Sequence, residues 1–291
     1  MANLKEIRTR MSSVKTTRQV TNAMKMVSAA KLRKAQEAVM RIRPYADKLF
    51  EILGSLSDSL DSQEDNPYSV DRGFNKILLV TINSNRGLCG GFNANVNKQA
   101  HLLIQSDYSE QHNSKNLDIL AIGKNSFDFF KRLGFNVSHH NDIYGNLDFE
   151  HVSPVVEAIM DDFVKEKYDK VFLIYNEFKN AATQNLKVEQ FLPIVKTENI
   201  TKQPAVDYLF EPSKNSIVKE LIPKSLKIQF YKALLDSHAA EHGARMTAMH
   251  MATDNATDLL RSLNLQYNKA RQASITNEIL EIVGGAEALK G

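Results

Sequence analysis

Beginning at Leu4, apolar residues recur at alternating steps of three and four: Ile7, Met11 and Val14, then Leu32, Ala35, Val39, Ile42, Ala46, Leu49, Leu53, Leu56 and Leu60. This is the heptad seam of a helix that lies against another helix. Between the two runs the same steps meet Arg18, Thr21, Lys25 and Ser28. The apolar Val20, Met24 and Val27 stand one position over, so the seam is expected to slip there. Pro44 removes one backbone hydrogen bond and should kink this helix, with Gly54 a weaker interruption. A second helical pattern runs from about Ser216 to Leu289. Met249, Ala252, Ala256, Leu259, Leu263, Tyr267 and Ala270 form one stripe, and Ile275, Ile279, Ile282, Ala286 and Leu289 continue it after a slip.

At 1.5 Å per residue the first helix spans roughly 85 Å and the second roughly 110 Å. A compact domain built from the remaining residues is only about 30–40 Å across. Each helix alone would expose its stripe to water, so the two are expected to pair. The pair should be antiparallel, because the globular segment links the end of one helix to the start of the other. Its middle, SAAKLRKAQEA (28–38) and AAEHGARMTAMHMAT (239–253), is rich in Ala, Ser, Thr, Gly and Met. Small side chains make a thin rod and bury little area, so this stretch is expected to be enclosed by something else.

Residues 75–212 alternate strand and helix signals. KILLVTIN (76–83), LDILAIG (117–123) and KVFLIYN (170–176) are short, apolar and β-branched, as buried parallel strands are. Between them lie the helical patterns ANVNKQAHLLIQS, KNSFDFFKRLG and VSPVVEAIMDDFVKEK. LKVEQFLPI (186–194) and VDYLF (206–210) should add strands. The expected fold is α/β with a long antiparallel coiled coil: paired N- and C-terminal helices around a central Rossmann-like open α/β domain. The expected divisions are residues 1–60, 75–212 and 213–291, with a polar linker, SLSDSLDSQEDNP, at 55–67.

Charge is distributed unevenly. Residues 1–48 hold twelve Lys or Arg and three acids, a local balance of +9 in a chain of formal net charge +3, which leaves −6 elsewhere. Such a helix is either a solvated face or a surface for an acidic partner, whether protein, nucleic acid or lipid. No apolar run approaches the roughly 20 residues that span a bilayer. The opening MANLKEIRTR has no apolar signal region. Cys89 is the only cysteine, so no disulfide forms within the chain, and a reducing compartment is the simplest fit.

Two stretches invite a chemical reading. HAAEH (238–242) fits H-x-x-E-H, in which two histidines hold zinc and a glutamate activates water. His238 and His242 share one helical face. A catalytic zinc also needs a third ligand and a dry concave pocket. A two-helix rod offers no such pocket, and Glu278 and Glu281 lie about 60 Å further along. The peptidase reading is therefore rejected. NSNRGLCGGFN (83–93) follows a strand and opens a helix, where a phosphate-cradling loop would sit. No Lys-Ser/Thr follows its glycines, and Gly87, Gly90 and Gly91 do not match G-x-G-x-x-G, so a tight strand-to-helix turn is expected. Cys89 reads as a small buried residue. YNKARQASITNEILEIVGGAEAL (267–289) ends apolar and small, and an apolar tip on a projecting helix is expected to enter a socket.

IRTRMSSVKTTRQVTNAMKMVSAAKLRKAQ, RGLCGG, RMTAMHMATDNA and YNKARQASITNEILEIVGGA together resemble the gamma subunits of rotary, F-type ATP synthases, in their bacterial form. The match covers both ends and the central loop. The resemblance implies an antiparallel coiled-coil shaft inside a ring of three alpha and three beta subunits. It places the α/β domain on a membrane rotor ring of c subunits and on the epsilon subunit. It implies a peripheral protein on the cytoplasmic side of the inner membrane, with no cofactor, no metal and no catalysis of its own. By motif, Met24 corresponds to a shaft position beside an acidic lever loop of beta, and Arg245 lies near the same level on the opposite helix. Arg271, Gln272 and Thr276 correspond to residues that engage a catch loop of beta. His238, Glu241 and His242 stand where the family often has Ser-Glu-Gln-like residues, which counts further against zinc. Two other classes compete with a shaft. A nucleic-acid-binding coiled coil would use the basic N-terminal helix on phosphates, although no aromatic residue precedes Tyr45 for base stacking. A small-molecule enzyme would use the α/β domain.

Overall fold

A computed structural model describes residues 4–57, 67–194 and 214–288. The strand expected at 206–210 and the greater part of the polar linker lie outside the described residues. The chain separates into two compact units, one of residues up to Ser28 and from Met246 onward, the other of Ala29–Arg245.

The larger unit holds a five-stranded sheet. β1 (Ile77–Ile82), β2 (Leu117–Ile122), β3 (Val137–His139), β4 (Lys170–Phe178) and β5 (Gln184–Leu192) stand in the order β3-β2-β1-β4-β5. The first four are parallel and β5 pairs antiparallel with β4. β1 is central and buried at every residue, as its unbroken apolar run requires. Its alternate residues face two cores. Ile77 and Leu79 pack with α2 (Phe92–Ser106) and α4 (Lys124–Arg132) through Val96, Ala100, Ile104 and Phe130. Leu78, Val80 and Ile82 pack with α5 (Phe149–Val164) through Val152, Val156 and Phe163. The same core takes in Leu226, Phe230 and Leu234 of α6 (Lys214–Ala288). Asp148 caps α5 by accepting the backbone N–H of His151 at 2.9 Å. A short helix, α3 (Ser109–Asn113), follows α2.

The N- and C-terminal helices pack together. α1 (Leu4–Ser57) contains Pro44 without ending there. Within the larger unit their contacts run in opposite chain order. Arg43 pairs with Asp236 at 3.2 Å, and Ala46 and Leu49 cluster with Ile228. The helices are therefore antiparallel. The seam does not slip. Thr21 and Ser28 are buried in register with Ile7, Leu32, Ala35 and Val39, whereas Val20 and Val27 are 53% and 56% exposed. Small polar residues thus keep the 3-4 spacing, and the apolar residues beside them face outward. The Thr21 hydroxyl is bonded, so this small polar side chain occupies the seam at little cost.

Candidate partner-binding surface

In the smaller unit, Ile7, Thr21 and Ser28 of α1 and Met249, Ala256 and Leu263 of α6 are buried. The hydroxyls of Thr21 and Thr253 meet at 2.9 Å. Each also lies within reach of a carbonyl of its own helix, so one bonds across the pair while the other bonds back. The exposed Thr9, Thr16, Thr17 and Thr257 all donate to the carbonyl four residues earlier. Met24 is half-buried, and Arg271, Gln272 and Thr276 are exposed. Thr276 donates to the Gln272 carbonyl at 2.9 Å. Beyond them Ile275, Ile279, Leu280, Ile282 and Val283 are exposed, with Ile282 at 72%. The outer face of α1 in this unit is therefore cationic, α6 exposes both signs of charge together with these apolar groups, and the seam mixes hydroxyls with Ile7, Met249, Ala256 and Leu263.

Arg245 is placed differently. It is 8% exposed and belongs to the larger unit. Its Nη1 bonds Glu241, its Nη2 donates to the Arg86 carbonyl at 2.9 Å, and its Nε and Nη2 reach the Gly87 carbonyl at 3.4 and 3.3 Å. Nη1 also lies 3.4 Å from His242 Nδ1. Guanidinium only donates, so His242 Nδ1 accepts and its Nε2 carries the proton. That proton points at His238 Nε2, 3.1 Å away, and the His238 ring stacks on Tyr144. Both imidazoles are neutral. Burial, helped by Lys31 and Arg245, pulls His238 down to about 4. Burial, helped by His238, Arg245 and Lys31, pulls His242 down to about 3. Burial also raises the Glu241 carboxyl, and Arg245 and Lys31 hold it back. The histidines of HAAEH are spent on each other and on Arg245. Among the described residues no group of three or more His, Cys, Asp or Glu is placed to hold a metal.

The glycine loop sits at the end of β1, beside the point where the chain turns back across the sheet from β3 to β4. In open α/β sheets the crevice between two such strands receives the ligand. Here α6 fills it. Ala240 and Ala244 pack on Cys89, Phe92 and Phe178, and Ser237 Oγ reaches the Ile82 carbonyl at 3.5 Å. Asn176, at the end of β4, donates to the Phe92 carbonyl at 3.0 Å. A Cβ on Gly243 would lie 3.2 Å from Ala181 Cα. The loop turns through Leu88 at φ 62° and Gly90 at φ 59° and is fixed from within by Ser84 and Asn93. Burial pushes the Cys89 thiol up, away from the thiolate that a nucleophile needs.

A family model described as ATP synthase matches residues 3–289. The chain is 54% identical over 291 residues to the ATP synthase gamma chain of Christiangramia forsetii and 55% identical to that of Flavobacterium johnsoniae, covering 100% of each chain in both cases. The chain belongs to the ATP synthase gamma chain family. In fold it is similar to a chain of the Euglena gracilis mitochondrial ATP synthase (OSCP/F1/c-ring, rotational state 3), with TM-score 0.71 and 24% identity. That match covers 98% of this chain and 94% of the other. It is also similar to a chain of the Tetrahymena thermophila central stalk/c-ring, with TM-score 0.60, 24% identity, and 80% and 99% covered. No helix among the described residues is long and apolar enough to cross a membrane.

Of the five residues that sequence singled out, the smaller unit carries Met24, Arg271, Gln272 and Thr276, and the larger carries Arg245. Tyr144 was missed, and so was the part that Arg86 and Gly87 play towards Arg245. Tyr144 lies 94 positions before His238, and Arg86 and Gly87 take part through backbone carbonyls, which leave no trace in side-chain identity.

Proposed function

We propose that this chain is the central shaft of a proton-translocating ATP synthase, carrying rotation between a membrane rotor ring and a ring of three alpha and three beta subunits. It performs no nucleotide chemistry itself, and it sits peripherally on the cytoplasmic face of the inner membrane with the epsilon subunit at its foot. The observation that carries this reading is the pattern of charge and apolar exposure on the smaller unit. The Thr21 and Thr253 hydroxyls meet in its seam, the outer face of α1 carries Lys5, Arg8, Arg10 and Lys15 against the single acid Glu6, and α6 exposes the apolar Ile275, Ile279, Ile282 and Val283. Cations meet acidic lever loops, and the apolar end from Ile275 to Val283 enters a socket. One charge crossing about 100 mV yields roughly 2.3 kcal/mol. Several such steps must therefore be pooled for each ATP, and covalently continuous helices can pool them. Co-purification tests the reading directly: the chain should emerge with two larger nucleotide-binding subunits in threefold excess, and a monomer free of both would overturn it.

Met24, Arg271, Gln272 and Thr276 are proposed to touch beta, with Arg245 assigned to the same set by resemblance. Replacing Met24 by Lys adds a cation beside Lys25 and is expected to cut proton pumping per ATP hydrolysed several-fold. Unchanged pumping in inverted vesicles would remove Met24 from the set. Ending the chain after Ile279 deletes the exposed Leu280, Ile282 and Val283. The yield of assembled complex should fall while the melting of the isolated chain's α/β domain stays within about 0.5 kcal/mol of the full-length value. Loss of that domain's cooperative melting would contradict the independence of the two units.

A further inference from the structure

The close contacts at the ends of β1 and β4 point to a role for α6 residues 240–245 that surface contact with a partner does not describe. α6 is held there from two sides. On one side Arg245 binds the carbonyls of Arg86 and Gly87, and Glu241 holds the guanidinium in place. On the other side the β4–β5 hairpin presses on the helix, with Ala181 against Gly243 and Phe178 against Ala240 and Ala244. Gly243 leaves no free volume, since the nearest atoms to an added Cβ are backbone atoms of Ala181 at 3.2 and 3.3 Å. The contacts fall on different faces of one turn and a half of helix. Restraints on several faces oppose rotation of the helix about its own axis, which a single apolar stripe would allow as a slide of ridges in grooves.

We infer that this turn is a torsional joint: Arg245 and the hairpin residue Phe178 lock α6 to the α/β domain so that rotation of the domain enters the helix without slip. α6 continues through Met246 as one unbroken helix, so torque admitted at the joint travels along it. Arg245 is thus a positioning residue that acts through the backbone of Arg86 and Gly87. The charge of Arg245 is neutralised inside the chain, and the carbonyls it binds can only accept, so Lys at this position retains part of the lock and Met retains none.

This inference rests on the shaft reading, and one experiment separates the two. In the assembled complex, with the hexamer fixed and held in one nucleotide state, the angular fluctuation of a bead attached to the α/β domain is recorded. Thermal variance scales inversely with stiffness, so losing either restraint should raise the variance in both Arg245→Met and Phe178→Ala, by less than about twofold because Leu226, Phe230 and Leu234 still hold α6 in the core of the domain. Arg245→Lys should fall between Met and wild type. Variance unchanged in both Arg245→Met and Phe178→Ala, in complexes whose wild type rotates, overturns the joint and leaves the shaft intact. Failure of the wild type to rotate overturns the shaft reading instead. If Arg245→Met does not assemble, the order of Phe178→Ala, Arg245→Lys and wild type still decides: equal widths reject the joint.

Discussion

Gly123→Ala is expected to destabilise the α/β domain by more than about 4 kcal/mol, near the upper end for a single substitution. Gly123 ends β2 and starts α4 with φ 114° and ψ 134°, a conformation closed to residues with a Cβ. A Cβ there would stand 2.2 Å from the Asn83 carbonyl oxygen and 2.6 Å from its carbon. Asn83 cannot retreat. Its N–H is bonded to Ile122 O at 2.7 Å, its amide bonds Asn97 and Ser126 at 2.7 Å each, and it is wholly buried. Gly134 is the control: its φ is 82°, but nothing lies within 4 Å of an added Cβ. Gly134→Ala should therefore cost about 1 kcal/mol, from strain alone. Urea midpoints of the two variants measure the difference. Equal midpoints would show that β1 and β2 do not meet as closely as described.

The second large effect is acid lability. His238 and His242 hold folded-state values of about 4 and 3, below the roughly 6.5 of an unfolded histidine. A base whose folded value is depressed contributes stability that is complete above the unfolded value. That stability is lost as pH falls from about 6.5 towards the folded values, because the unfolded chain binds protons that the folded chain refuses. Between pH 7 and 4.5 the pair should cost about 3–5 kcal/mol. Glu241 and Asp236 work in the opposite sense, since burial raises their carboxyls and the folded state takes up protons there as pH falls. The informative quantity is therefore a difference. The stability of wild type should fall with acid more steeply than that of His238→Gln/His242→Gln. Parallel pH curves for the two proteins would mean that the imidazoles are not held neutral against Arg245 and Lys31.

Sequence reasoning located what depends on local periodicity. The 3-4 spacing from Leu4 and from Met249 gave two long helices, and three apolar β-branched runs gave β1, β2 and β4. LKVEQFLPI gave β5. β3 escaped notice because Val137 is its only apolar residue and its pairing partner, β2, supplies the reason for its extension. The polar seam was misread for a related reason. Thr21 looks like an interruption until its hydroxyl is seen within reach of the carbonyl three residues earlier and of Thr253 on the facing helix. The cluster around Arg245 was out of reach. HAAEH has the spacing of a metal motif, but its meaning is set by an arginine one turn on and by carbonyls 158 and 159 positions away.

The crevice beside β1 and β4 has a consequence for how the polypeptide matures. A ribosome releases residues 77–192, with every strand of the sheet, well before residues 237–245, the piece that closes the crevice. Until that late helix emerges, Cys89, Phe92 and Phe178 have no cover, and the nascent domain must wait, nearly finished, for its own carboxyl-terminal arm. A chain cut short before residue 237 would leave a sticky, half-built layer and not a smaller working part.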